Sequence, residues 1–161
     1  MKRYLQIFLL AVGFDLYWFQ VVFFRERGLV LWLGIAILAL MMLPPARRLY
    51  ALLLAVAGCC LDALWALTGL VDFHGEGVLP FWMIALWLMF ATVWTQLASS
   101  TTLPGWILAL MAVCGGPVAY WLGQRLGAIT FLQPTVVVVG ALTTGWLVLM
   151  LLFHILLGRR Q

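Results

Sequence analysis

Long apolar runs, cut by short clusters of proline, glycine and charge, dominate the pattern along this chain. The first run covers residues 4–24 and ends at Arg25-Glu26-Arg27-Gly28. A second, residues 28–43, stops at Pro44-Pro45, because proline removes an amide donor and cannot continue a helix. Arg47-Arg48 opens a third at 49–71, and the most polar loop, Asp72-Phe73-His74-Gly75-Glu76-Gly77, follows it. Pro80 starts a fourth at 81–98, and Ser99-Ser100-Thr101-Thr102 makes an uncharged turn. A fifth, 105–127, carries Gly115-Gly116-Pro117, where a kink is expected. After Leu132-Gln133-Pro134 comes a sixth at 135–157, closed by Arg159-Arg160-Gln161. Runs of about 20 apolar residues match the roughly 30 Å hydrocarbon core of a bilayer. The pattern therefore predicts an all-α integral membrane protein, a single domain over residues 1–161 with six transmembrane helices. The second span, slightly short, should stand upright or thin the bilayer locally.

Composition strengthens this reading. Hydrophobic residues make up 66% of the 161 and charged residues only 9%, against about 25% charged in a soluble domain. The formal charge of +4 does not point to nucleic acid, because the basic residues sit in pairs at the ends of apolar runs. Lys2, Arg3, Arg47, Arg48, Arg159 and Arg160 fall on one side, without acids; Arg25, Arg27 and Arg125 fall on the other, with Glu26, Asp72 and Glu76. The positive-inside rule then places both termini in the cytoplasm. Lys2-Arg3 imitates a secretory leader, but Asp15 interrupts its apolar core and no small-residue cleavage site precedes Arg25, so the first run reads as a retained span.

Two acids carry the chemical interest. Asp15 lies about 11 residues inside the first span, roughly 16 Å deep at about 1.5 Å per residue. An acid at the bilayer centre costs about 2.5–3.5 kcal/mol on insertion scales, so it normally faces protein or water. Gln6, Gly13, Tyr17 and Gln20 share one helical face, with Asp15 and Ala11 nearly opposite. A span polar on two sides is expected at the centre of the bundle. Asp62 belongs to a stripe of Ala55, Gly58, Ala66 and Gly69, whose small side chains let another helix approach. It should therefore point into a helix contact, toward the first span. Two carboxylates there suit proton handling or cation binding, and equally suit a buried hydrogen-bonded pair with no further task.

Other polar residues are weaker candidates. Tyr17 and Gln20 join Asp15 on the first span, Gln96 belongs to a patch with Thr92, Thr95, Ser99 and Ser100, and Arg125 ends the fifth. Gly115, Ala119, Gly123 and Gly127, spaced by four, read as a packing stripe. Cys59, Cys60 and Cys114 lack metal spacing and read as small apolar residues in helix interfaces. Trp18, Trp65, Trp87, Trp94 and Trp146 fall within spans and read as core volume. No catalytic or metal constellation and no cofactor set is expected; His74 and His154 belong to opposite membrane faces, which excludes haem ligation between them. No period of 20–50 residues repeats, and no inverted halves are evident.

Several motifs together resemble a family of small bacterial inner-membrane proteins catalogued as a domain of unknown function. They are Trp18-Phe19, Gly58 with Asp62, Pro80-Phe81-Trp82-Met83, and Ala85-Leu86-Trp87 with Phe90-Ala91-Thr92. The most specific set is Gly116-Pro117, Tyr120, Gly123 and Arg125-Leu126-Gly127-Ala128. Family members tend to carry Asn-His where this chain has Thr95-Gln96, so an activity resting on that histidine would be missing here. The resemblance implies a bacterial inner-membrane location, a gene neighbourhood of fatty-acid-modifying enzymes, and thus a lipid-related role. The leading expectation is a lipid- or amphiphile-associated accessory component, with membrane lipid and a lipid-modifying enzyme or other membrane protein as partners. A small proton-coupled transporter or substrate-binding subunit using Asp15 and Asp62 is the alternative, followed by an intramembrane lipid-modifying enzyme.

Overall fold

The computed structural model describes residues 2–101 and 104–158, the side chains of 2–4, 6 and 156–158 excepted. Along these residues run α1 (Lys2–Phe24), a 3-10 turn (Arg25–Gly28), α2 (Leu29–Met42) and α3 (Pro45–Leu67). Strand β1 (Val71–Phe73), α4 (Phe81–Ser100), α5 (Gly105–Arg125), strand β2 (Ile129–Phe131) and α6 (Thr135–Gly158) complete the order. Five helical stretches are long and apolar enough to cross a membrane, with Ile7–Met42 taken as one. The basic termini used to orient the chain, Arg159 and Arg160 with the side chains of Lys2 and Arg3, lie outside the described residues.

The chain packs as two units. The first comprises Met1–Val56 and Phe81–Thr102, the second Ala57–Pro80 and Leu103–Gln161, so α3 begins in one and ends in the other.

In the first unit the chain doubles back between α1 and α2. Tyr17 and Trp32 are 15 residues apart, about 22 Å along a straight helix. Yet the Tyr17 hydroxyl donates to the Trp32 carbonyl at 2.9 Å, which only a hairpin allows. The reversal falls at Arg25, whose φ of 50° is left-handed. Its carbonyl accepts a hydrogen bond from the Trp32 indole at 3.0 Å. The indole also lies where a β-carbon on Gly28 would sit, so the turn requires glycine there. Arg48 then closes the far end of α2, reaching the carbonyls of Leu43 at 3.0 Å and Met41 at 2.6 Å. These are groups that a helix C-terminus leaves unpaired. At 14 residues, α2 is only about 21 Å long.

Burial corrects one expectation about this unit. Half of the apolar window of α4 is buried, against 17% for Ile7–Met42. α4, not the first span, is therefore the most enclosed helix. Trp82, Ala85, Trp87, Ala91 and Thr95 are among its buried residues, mixing large and small side chains so that α1 and α2 can lie against it.

In the second unit, α3 and α5 end alike. The Leu70 amide reaches back to the Trp65 carbonyl and the Ala128 amide to the Gly123 carbonyl, each at 2.9 Å. Gly69 and Gly127 both take a φ of 70°, the left-handed cap that glycine tolerates at no steric cost. Each cap releases the chain into a short strand, and β1 pairs antiparallel with β2, Asp72 opposite Thr130. Residues expected at the ends of the third and fifth spans are thus cap and strand. α5 runs unbroken through Pro117.

Gly28→Ala should displace the Trp32 indole and lower stability by about 1–3 kcal/mol, the usual cost of overpacking. Gly34→Ala, where an added β-carbon meets open space, should be neutral or stabilise by up to about 1 kcal/mol. Unfolding midpoints in mixed lipid–detergent micelles will compare the two.

Candidate functional site

Asp62 is fully buried, and the sequence of α3 explains how an acid comes to lie there. Gly58 and Trp65 are buried on the same side of the helix. Tyr120 is buried on α5, as are Leu108, Ala112, Gly116 and Gly123. The Tyr120 hydroxyl donates to Asp62 Oδ1, and its ring meets Trp65 edge-on at 5.8 Å and Phe73 at 6.3 Å. A buried carboxyl group without a donor is strongly destabilising. Tyr120 supplies a donor, and its ring, with Trp65 and Phe73 about it, adds apolar enclosure.

Close backbone approach holds this arrangement together. The Trp146 indole of α6 lies where a β-carbon on Gly116 would sit, and the Trp65 indole does the same at Gly145. Trp65 and Trp146 thus fill core volume, as their in-span positions suggested, but against glycine backbone. The small-residue stripe expected on α5 holds at Gly123 and fails at its two ends. Gly115 faces open space and Gly127 is the helix cap, whereas Gly116 and Gly123 lie against neighbours.

The geometry also contains an internal correspondence. Asp62 and Tyr120 are 58 residues apart. The same separation relates Gly58 to Gly116, Gly69 to Gly127, and Asp72 to its strand partner Thr130. The end of α3 with β1 and the end of α5 with β2 are thus one helix–cap–strand unit used twice. In two of these pairs the equivalent positions meet, Asp62 with Tyr120 and Asp72 with Thr130. At the polar loop, His74 Nε2 and Thr130 Oγ1 lie 2.7 Å apart, tying β1 to β2 a second time.

The remaining candidates scatter. Asp15 is exposed on α1, as is Gln20; both were expected inside the bundle. α1 is packed along Phe14, Tyr17 and Val21, and Asp15 projects from the other side of the helix. Tyr17 is buried and ties α1 to both neighbours, its hydroxyl lying 2.9 Å from the Trp32 carbonyl and 3.3 Å from that of Ala85. Gln96 accepts from Arg47 Nη1 at 3.4 Å and donates to Ser100 at 3.1 Å. Beside it, the buried Thr95 hydroxyl has no hydrogen-bond partner among the described residues. Arg125 is exposed and lies over the Trp121 ring, 5.1 Å from its centre. Cys60 and Cys114 are exposed and Cys59 is half-buried, so the first two are not the interface residues expected.

Two contacts escape an inspection of single spans. Tyr120 as the partner of Asp62 is one; the only signal for it was its place in the Gly116-Pro117, Tyr120, Gly123 motif. Arg47 as the partner of Gln96 is the other, since a basic pair at a helix start reads as an orientation signal first.

The buried Asp62–Tyr120 pair, with its glycine-lined setting, lies within the residues that a family model recognises. That model, described as Protein of unknown function (DUF2878), matches residues 7–152. The chain belongs to this family. No curated protein and no solved structure matches it. The DUF2878 match spans both packing units, taking in Asp15, Asp62, Gln96, Tyr120 and Arg125 alike.

Removing the phenol should expose the worth of the buried bond. Tyr120→Phe is expected to destabilise the protein by about 1–3 kcal/mol. In a double-mutant cycle with Asp62→Asn, a coupling of about 1–2 kcal/mol should appear. Asp15→Asn, on an exposed position, should shift stability by less than about 0.5 kcal/mol. Equilibrium unfolding of the four variants in lipid nanodiscs supplies all these values.

Proposed function

We propose that this DUF2878 protein is a lipid- or amphiphile-associated accessory component of the bacterial inner membrane, supporting a partner enzyme or other membrane protein. In this reading the chain is one membrane domain crossing six times. α2 serves as a short crossing paired with α1, and both termini face the cytoplasm. The hairpin at Arg25–Gly28 supports the sixth crossing, and the six basic residues against three support the orientation.

One observation favours an accessory role over proton-coupled transport: the two membrane acids occupy different environments. Asp62 is fully enclosed and bonded to Tyr120, as a structural pin would be. Asp15 is exposed on a helix face. A proton-coupled carrier using both acids needs them to share an aqueous path in at least one state. A pinned acid and an outward-facing acid suit a protein whose interior holds its shape and whose surface meets something else.

A deletion strain tests the reading. The account expects its membrane lipid profile to change and the wild-type gene to restore it. Purified protein in vesicles should show no pH-dependent solute uptake and no turnover of lipid. An unchanged lipid profile would remove the lipid association, and pH-dependent uptake lost in Asp62→Asn would reinstate the transport alternative.

A further inference from the structure

α1 carries an acid that no described basic side chain of the chain reaches at its depth. Asp15 lies about 20 Å from Lys2 and about 14 Å from Phe24 along the helix, close to the middle of the span. It is exposed, and around it on the same side of α1 stand Phe8, Val12, Leu16, Phe19 and Phe23, all exposed. Among the described side chains from Phe8 to Phe23 this face is apolar except for one carboxyl group and, at its edge, Gln20. Acids at that depth are stable when paired with a cation or enclosed by protein.

We propose that the Asp15 face of α1 is a docking surface for a transmembrane helix of a different membrane protein, one that carries a lysine or arginine at the depth of Asp15. Charge complementarity selects this occupant. A second copy of the chain does not provide it, because a parallel copy sets Asp15 beside Asp15. Among the described residues the arginines stand at span ends: Arg25 and Arg27 in the turn, Arg47 and Arg48 at the start of α3, Arg125 at the end of α5. His154 is four residues from the end of α6, about 6 Å along the helix, far from mid-span. Lipid hydrocarbon offers no counter-charge at all. This inference rests on the accessory reading above and names the surface and the chemistry by which the partner is held.

The first test uses a defined probe in liposomes. A synthetic leucine–alanine transmembrane peptide with one central lysine, labelled for energy transfer, is mixed with the purified full chain, and an all-apolar peptide is the control. The lysine peptide should associate with wild type at least about tenfold more tightly than the control. The preference should persist in Asp15→Glu and vanish in Asp15→Leu. Equal association of the two peptides, or a preference that survives Asp15→Leu, overturns the proposal. The unfolding midpoint of Asp15→Leu accompanies the assay, and is expected to equal or exceed that of wild type because the position is exposed.

A second test works in cells, with a photo-crosslinking residue at Val12 or Phe19 and, as a control, at Val30 of α2. The expected adduct at the α1 positions contains a basic transmembrane segment of another protein and is lost in Asp15→Leu. Adducts only to lipid, to a second copy or to the chain itself overturn docking. The lipid profile separates this failure from failure of the accessory role: a deletion that changes the profile while Asp15→Leu does not leaves the role standing without this surface.

Discussion

The contact between the Tyr120 hydroxyl and the Asp62 carboxyl is the constraint from which the second packing unit follows. A carboxyl group in a membrane interior has few acceptable neighbours, and each feature around this one serves its enclosure. The Tyr120 hydroxyl reaches the acid, Trp65 and Phe73 shut the ring in from the sides, and Gly116 and Gly145 seat the Trp146 and Trp65 indoles. Gly69 and Gly127 then stop both helices at equivalent points so that their strands can pair. Shifting either helix by one residue breaks the hydrogen bond, the glycine contacts and the strand register together.

The first unit solves a different problem with similar means. There a tyrosine hydroxyl bonds to the carbonyl of a residue on the returning helix, Tyr17 to Trp32, and the indole of Trp32 bonds to the turn itself. Both units rely on aromatic side chains with one polar atom, large enough to fill space and able to bond to a backbone or carboxyl oxygen. Neither arrangement leaves an acid of the interior facing an open path. The acid that does face outward, Asp15, stands on the exposed side of α1, away from the packed Tyr17 and Val21.

Much of the fold was legible beforehand because hydrocarbon thickness imposes a length on apolar runs and proline or glycine marks their ends. The α3 stripe was visible at Gly58 and Asp62, since small residues at helical spacing have few other uses in a membrane. Gly69, however, is the helix cap, and the partner of Asp62 is Tyr120 on α5, not the first span as expected. Less visible was the start of the α5 stripe, because Gly115 and Gly116 are adjacent and either could begin it. Only the demand of Asp62 for a donor chooses Gly116, and that demand is a tertiary fact. Asp15 was misplaced for a related reason. Depth along a helix follows from counting residues, but direction around it depends on which side the neighbours pack, and the bulky Phe14, Tyr17 and Val21 win that competition. The repeated helix–cap–strand unit went unseen because its two copies share two glycines, a strand and a contact position but little other side-chain chemistry.

The central claim is that Asp62 is sealed inside the protein while Asp15 is exposed on its surface. A lipid-soluble carbodiimide, which reacts with carboxyl groups reachable from the hydrocarbon, measures this directly on the purified protein in nanodiscs. Mass spectrometry of the labelled protein should find the adduct on Asp15 and leave Asp62 unmodified. Labelling of Asp62, or an Asp15 that resists the reagent, would contradict the account.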